Sequence, residues 1–242
     1  MASELKILDI HDVSVSYGKK IAIENIAFHV NRGECFGLIG LNGAGKTTLI
    51  KTILALRDTS SGHVLIDGLD NASPTARATF SYLPEKFDPP WYLSGLEFID
   101  FTLKLYRQKV SFEDIETLSN KLGLETSALK NRVKTYSKGM RQKIGIIATF
   151  LSGTDLIILD EPMSGLDPLT RVCVKDLIIQ AKKNGQTIFF SSHILADVNE
   201  ICDRVSVIHH GQDKFTGTPA ALMKNWKNDN LERAFLNLVK EG

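Results

Sequence analysis

No stretch of this chain stays apolar and uncharged for the roughly 18 residues that a membrane-crossing helix needs. Any action at a membrane therefore calls for another chain to do the crossing. An excess of one charge is also lacking, since 29 Lys and Arg stand against 28 Asp and Glu. Without a broad positive field, general attraction to a phosphate backbone is weak, and no nucleic-acid partner is expected. Cysteine is scarce and unpatterned. Cys35, Cys173 and Cys202 are odd in number, sit among apolar residues and show neither CxxC nor Cys/His metal spacing. They read as reduced, buried thiols of a cytosolic protein. The first ten residues carry Glu4, Lys6 and Asp9, which leaves no apolar core for a secretory signal. Repeats and low-complexity stretches are missing too. With 242 residues and 43% hydrophobic content, the chain can bury a substantial core.

What the chain does have is a glycine loop, Gly40-Leu41-Asn42-Gly43-Ala44-Gly45-Lys46-Thr47-Thr48, between an apolar strand (Cys35 to Ile39) and a helix carrying Leu49, Ile50, Ile53 and Leu54. That order of strand, loop and helix is what a phosphate-binding loop requires. Glycines let successive N–H groups point inward at phosphate oxygens, and the helix N-terminus adds partial positive charge. Lys46 is then expected to reach the β- and γ-phosphates, and the Thr47 hydroxyl to ligate Mg²⁺.

Around this loop the pattern is α/β. Leu5 to Val30 reads as short strands with turns, a small β-rich lobe beside the nucleotide. Gly62 to Gly68 and Thr79 to Leu83 read as further strands. From about residue 93 to 151 the pattern is helical, with capping boxes predicted at Ser94/Glu97 and Ser111/Asp114. Beyond it, strands at Asp155 to Asp160, Thr187 to Ser192 and Val205 to His209 alternate with helices at Pro168 to Lys183 and Ile194 to Cys202. Such alternation predicts a largely parallel sheet covered by helices. Leu231, Ala234, Phe235, Leu238 and Val239 predict a last helix docked on the core, with a dimer contact as the alternative.

Leu156-Ile-Ile-Leu-Asp160-Glu161 is an apolar strand ending in two carboxylates. Alone it is an ordinary strand end. Paired with the glycine loop, it predicts that Asp160 holds Mg²⁺ and that Glu161, directed toward open solvent, polarises the water attacking the γ-phosphate.

Tyr136-Ser137-Lys138-Gly139-Met140-Arg141-Gln142 precedes that strand at the spacing of the ATP-binding cassette (ABC) ATPases, and the resemblance covers nearly the whole chain. The segment is similar to the family's LSGGQ, with Ser137 and Gly139 matching and Tyr136, Lys138 and Met140 departing. The resemblance implies that Ser137 and Gly139 close over the nucleotide of a second ATPase subunit. It implies further that Ser164-Gly165-Leu166-Asp167 is the loop touching its counterpart across the dimer, that His193 is the switch histidine, and that Tyr17 stacks on adenine. By itself each has a plainer reading: Asp167 as a helix cap, His193 as a structural histidine, Tyr17 as core. Where many members carry glutamine, this chain has Glu85, either a metal-water ligand or a solvated carboxylate.

The fold implied is a P-loop NTPase core with a largely parallel sheet, an antiparallel β subdomain and a helical insertion, all in one cassette over residues 1–242. The activity implied is ATP hydrolysis that powers a transporter, in the branch of bacterial exporters that pair a single cassette chain with a separate transmembrane permease subunit. The two ATPase subunits are expected as a homodimer, at the cytoplasmic face of the membrane. Lys86-Phe87-Asp88-Pro89-Pro90-Trp91-Tyr92-Leu93 either receives a helix of that permease or packs beneath the helical insertion. The alternative function is a soluble cassette ATPase in an assembly or translation-related complex. Kinase and GTPase readings leave Ser137, Asp167 and His193 together unexplained.

Overall fold

The computed structural model describes residues 6–241; Glu4 and Leu5, named above, and Gly242, the end of the expected cassette, lie outside the described residues. The strands in chain order are β1 (Lys6–Tyr17), β2 (Lys20–Asn31), β3 (Cys35–Ile39), β4 (Ser61–Ile66), β5 (Leu69–Asp70), β6 (Phe80–Leu83), β7 (Leu156–Asp160), β8 (Thr187–Ser192), β9 (Arg204–His209) and β10 (Gln212–Gly217). The helices are α1 (Lys46–Ile53), α2 (Pro74–Ala78), α3 (Gly95–Leu105), α4 (Phe112–Lys121), α5 (Lys138–Phe150), α6 (Pro168–Lys183), α7 (Leu195–Ile201), α8 (Pro219–Asn225) and α9 (Leu231–Glu241).

Two sheets result. One is antiparallel, in the order β2-β1-β4-β5; the other runs β10-β9-β3-β8-β7-β6 and is parallel except for β10. Every residue of β3, β7 and β8 is buried, as expected of parallel strands covered on both faces. Their side chains alternate between two cores. Phe36, Leu38, Leu156, Ile158 and Phe189 face the antiparallel lobe and α1, where Phe28, Phe36 and Phe189 stack at 5.0 to 6.4 Å. Cys35, Ile39, Ile157, Leu159, Ile188 and Phe190 face the other way, into a core shared with α5, α6, α7 and α9.

The segment from Leu5 to Val30 departs from the expected short strands: β1 and β2 are 12 residues each. Their pairing shifts register four times, and Asp12 and Asn25 take positive φ, so the alternation of apolar residues is broken along strands that are nonetheless continuous. Both capping boxes form, at Ser94/Glu97 and Ser111/Asp114. Leu231, Ala234, Phe235 and Leu238 are buried, so α9 docks on the core of its own chain. The three cysteines are free, but only Cys35, in β3, is buried as expected; Cys173 and Cys202, on and just after helices at the edge of the core, are partly exposed. No helix among the described residues is long and apolar enough to cross a membrane.

Candidate functional site

The glycine loop joins β3 to α1 at the carboxyl edge of the parallel sheet, where ligands of open α/β sheets bind. Gly45 is the N-cap of α1 with φ 114°, and a Cβ there would meet Ile23 Cγ2 at 2.5 Å. Only glycine fits. No side chain caps α1 and no acid stands in its first turn, which leaves the N–H groups for an anion. The buried Lys46 ammonium donates to the carbonyls of Gly40 (2.7 Å) and Leu41 (3.4 Å). A turn from β9 to β10 braces the loop: Gly211 N–H donates to the Ala44 carbonyl (3.0 Å) and Glu24 N–H to the Gly211 carbonyl (2.8 Å).

Two strands over, Asp160 ends β7. The Ser191 hydroxyl donates to its Oδ1 at 2.6 Å, and the Ser191 hydroxyl oxygen in turn accepts the Glu161 N–H at 3.0 Å. Burial raises the Asp160 carboxyl above its ordinary range, and the nearby Glu85 and Glu161 charges add to this against the Ser191 bond and Lys46. The Tyr82 phenol is pushed up by burial and then by Asp160 and Glu85.

Glu161 does not point toward open solvent, as the strand pattern suggested. Its φ of 49° takes it off the strand, and its side chain folds inward until the residue is only 9% exposed. There Oε1 lies 3.8 Å from Lys46 Nζ and Oε2 lies 2.8 Å from His193 Nδ1. A left-handed backbone after the last strand residue abolishes the alternation on which that expectation rested.

A cavity of about 860 Å³ gathers these groups. Its walls include Asn42, Gly43, Gly45, Lys46, Thr47 and Thr48 of the loop, together with Tyr17, Glu85, Asp160, Glu161 and His193. Gly40 and Ala44 shape the loop from behind through their backbone carbonyls. Ser137, Gly139 and Asp167 are not among these walls. Ser137 caps α5 by accepting the Met140 N–H (3.2 Å), and Asp167 caps α6 by accepting from the Thr170 N–H (2.9 Å) and hydroxyl (2.6 Å). The Thr170 bonds hold the Asp167 carboxyl below its ordinary range. The expected docking segment divides: Phe87 packs edge-on against Phe98 at 5.5 Å, while Trp91 and Tyr92 are 64% and 58% exposed.

Sequence reading missed Lys20, Ile21, Ala22, His210 and Gly211 as walls of the cavity. His210 and Gly211 form a two-residue hairpin turn with positive φ at both positions. Glycine at the second position and a histidine, which tolerates positive φ, at the first are compatible with such a turn, but only the pairing of β9 with β3 brings it to the loop.

A glycine loop and a strand-end carboxylate pair, at the carboxyl edge of a parallel sheet, define a P-loop nucleoside triphosphatase. A family model described as "ABC transporter" matches residues 23–164. The chain is 32% identical over 234 residues to the lantibiotic transport ATP-binding protein SrtF of Streptococcus pyogenes, covering 96% of this chain and 97% of that one. It is 37% identical over 207 residues to the uncharacterized ABC transporter ATP-binding protein sll0415 of Synechocystis, over 84% of this chain and 58% of that relative, so it spans less than two thirds of that protein's length. A solved structure described as the ATP binding subunit of an ABC transporter superposes with TM-score 0.88 at 32% identity, covering 96% of this chain and 99% of that one. The chain belongs to the ABC transporter family.

Proposed function

We propose that this chain is the ATP-binding and ATP-hydrolysing subunit that powers an ABC transporter, and that its described fold is part of one cassette domain whose residues 93–151 form the helical subdomain. The observation that carries this reading is the Glu161 carboxylate, held between Lys46 and His193 in the cavity of the phosphate loop. Lys46 exchanges the Gly40 and Leu41 carbonyls for β- and γ-phosphate oxygens, and the first-turn N–H groups of α1 take the remaining charge. Glu161 accepts a proton from the attacking water, and His193 orients that water and the γ-phosphate. Tyr17 stacks on the adenine.

Thr47, Asp160 and Glu85 bring oxygen donors to one cavity, and oxygen donors suit Mg²⁺. Among the described residues no group of three or more His, Cys, Asp or Glu is arranged as a metal cage. An ion held largely by substrate phosphates and water, with one or two protein oxygens, needs no such cage. When bound, Mg²⁺ neutralises charge on the phosphates.

Ser137, Gly139 and Asp167, outside this cavity, belong on this reading to the nucleotide site of a second subunit, in a homodimer that closes on ATP and reopens after hydrolysis. On the same reading the exposed Trp91 and Tyr92 receive a separate transmembrane permease subunit, with the protein peripheral at the cytoplasmic face of the membrane. SrtF, a lantibiotic transport protein by name, supports a role in transport, and on this reading the direction is export. Purification from native membranes in mild detergent tests the assignment. A polytopic membrane protein at comparable stoichiometry is expected; repeated recovery with soluble complexes alone would refute the transporter role and leave the ATPase chemistry standing.

A further inference from the structure

The loop after α1 carries Arg57, whose guanidinium is placed by a backbone carbonyl and an aromatic ring. Nη2 donates to the Ser16 carbonyl at 2.9 Å, and Cζ lies 4.3 Å from the centroid of the Tyr17 ring. Its Nε is the single buried side-chain nitrogen or oxygen among the described residues without a hydrogen-bond partner. Buried donors ordinarily find acceptors, so an orphan of this kind calls for an explanation. Here the explanation is the ring, because a guanidinium held over an aromatic face is placed by that contact rather than by its full set of donors.

Tyr17 is 46% exposed and lines the nucleotide cavity, whereas Arg57 is not among the cavity walls. One ring face is therefore covered from behind and the other is left for a ligand. A tyrosine at a strand end would otherwise sample several rotamers, and holding it in one lowers the ordering cost of binding. α1 thus reaches the nucleotide at both ends: its N-terminus meets the phosphates, and the loop beyond its C-terminus, turned by Ala55 at φ 51°, supports the base platform.

We propose that Arg57 is a positioning residue for the purine, backing Tyr17 so that base, phenol and guanidinium form a three-layer stack. This rests on the assignment of Tyr17 as the adenine platform. The test compares ATP with inorganic tripolyphosphate, which fills the phosphate loop but has no base, by calorimetry on the full chain. Arg57→Ala is expected to weaken ATP about fivefold, with tripolyphosphate unchanged and the loss in steady-state turnover falling on KM rather than kcat. Arg57→Lys, which keeps the charge without the plane, recovers part of the loss. In a Tyr17→Ala background, Arg57→Ala adds nothing further. Equal weakening of both ligands would make Arg57 a brace of the fold and overturn the proposal, as would unchanged ATP affinity or additive losses in the double variant. If Tyr17→Ala itself leaves ATP affinity unchanged, the platform assignment fails and the proposal fails with it.

Discussion

Glu161→Gln separates binding from chemistry, because the side chain keeps its shape and loses only its charge and basicity. A positioned general base contributes about 10² to 10⁴ in rate, or roughly 3 to 5 kcal/mol of barrier. Turnover should therefore fall at least about 100-fold. Binding should move the other way. At 3.8 Å from Lys46, the carboxylate competes with phosphate for the ammonium. The gross attraction is about 4 kcal/mol at an effective dielectric near 20, before desolvation is subtracted. Glutamine releases Lys46 and removes a negative charge from beside the γ-phosphate position, so ATP affinity holds or rises. Single-turnover phosphate release at saturating ATP, beside calorimetric ATP titration, reads both quantities. Phosphate release at the unaltered rate would refute Glu161 as the base. Weakened ATP binding would refute the competition argument and make the Lys46–Glu161 pair a support of the loop.

Other perturbations follow from the same geometry. Glu85→Gln removes a charge that raises Asp160 and attracts the cation, so half-maximal activity should need severalfold more Mg²⁺; an unchanged Mg²⁺ titration would refute the ligand role of Glu85. Gly45→Ala forces a side chain into φ 114° against Ile23, and denaturant unfolding should show a loss of about 1–3 kcal/mol together with loss of ATP binding; near-native values for both would refute the steric argument. Thr170→Val removes the hydroxyl that holds Asp167 below its ordinary pKa of 3.8. A depressed carboxylate stabilises above its unfolded pKa and loses that stabilisation as pH falls through its folded value. The variant should therefore melt below wild type at neutral pH, with the gap narrowing under acid conditions; a gap independent of pH would refute the assignment.

Much of this architecture was legible because its signals are local. α6 begins and ends where Asp167-Pro168 and the two lysines before Asn184 mark it, and β8 matches its apolar run to the residue. The elements that escaped are short. α2, β5, β10 and α8 span two to seven residues, too few to establish a period, although Ser73-Pro74 and Thr218-Pro219 are cap signals that announce the two helices. At the site, residue types were readable and directions were not. Lys46, Asp160 and His193 belong to motifs with a spacing, but the inward turn of Glu161 depends on one backbone angle, and Arg57 reaches Tyr17 across 40 positions of sequence. Neither leaves a local pattern.

The residues between Glu161 and Asp167 join the two groups of motif residues that the structure keeps apart, since Glu161 faces the cavity and Asp167 does not. That span is tied to α5 by one hydrogen bond and lies beside it at a second point. The buried Gln142 amide donates from Nε2 to the Pro162 carbonyl at 3.1 Å, and a Cβ on Gly165 would meet the Lys138 side chain at 3.3 Å. Glu161 precedes Pro162 directly, so a shift of Glu161 as phosphate leaves must be absorbed within one residue or passed to α5 and its Ser137 cap. Gln142→Leu removes the hydrogen bond and leaves a buried carbonyl unpaired, at a cost of about 1–3 kcal/mol. ATP should still be hydrolysed, because no cavity wall is altered. Hydrogen exchange at the first turn of α5 should differ between ATP- and ADP-bound wild type and cease to differ in the variant. A variant that keeps the nucleotide-dependent difference would refute Gln142 as the connection and leave the Lys138 contact with Gly165 to carry it.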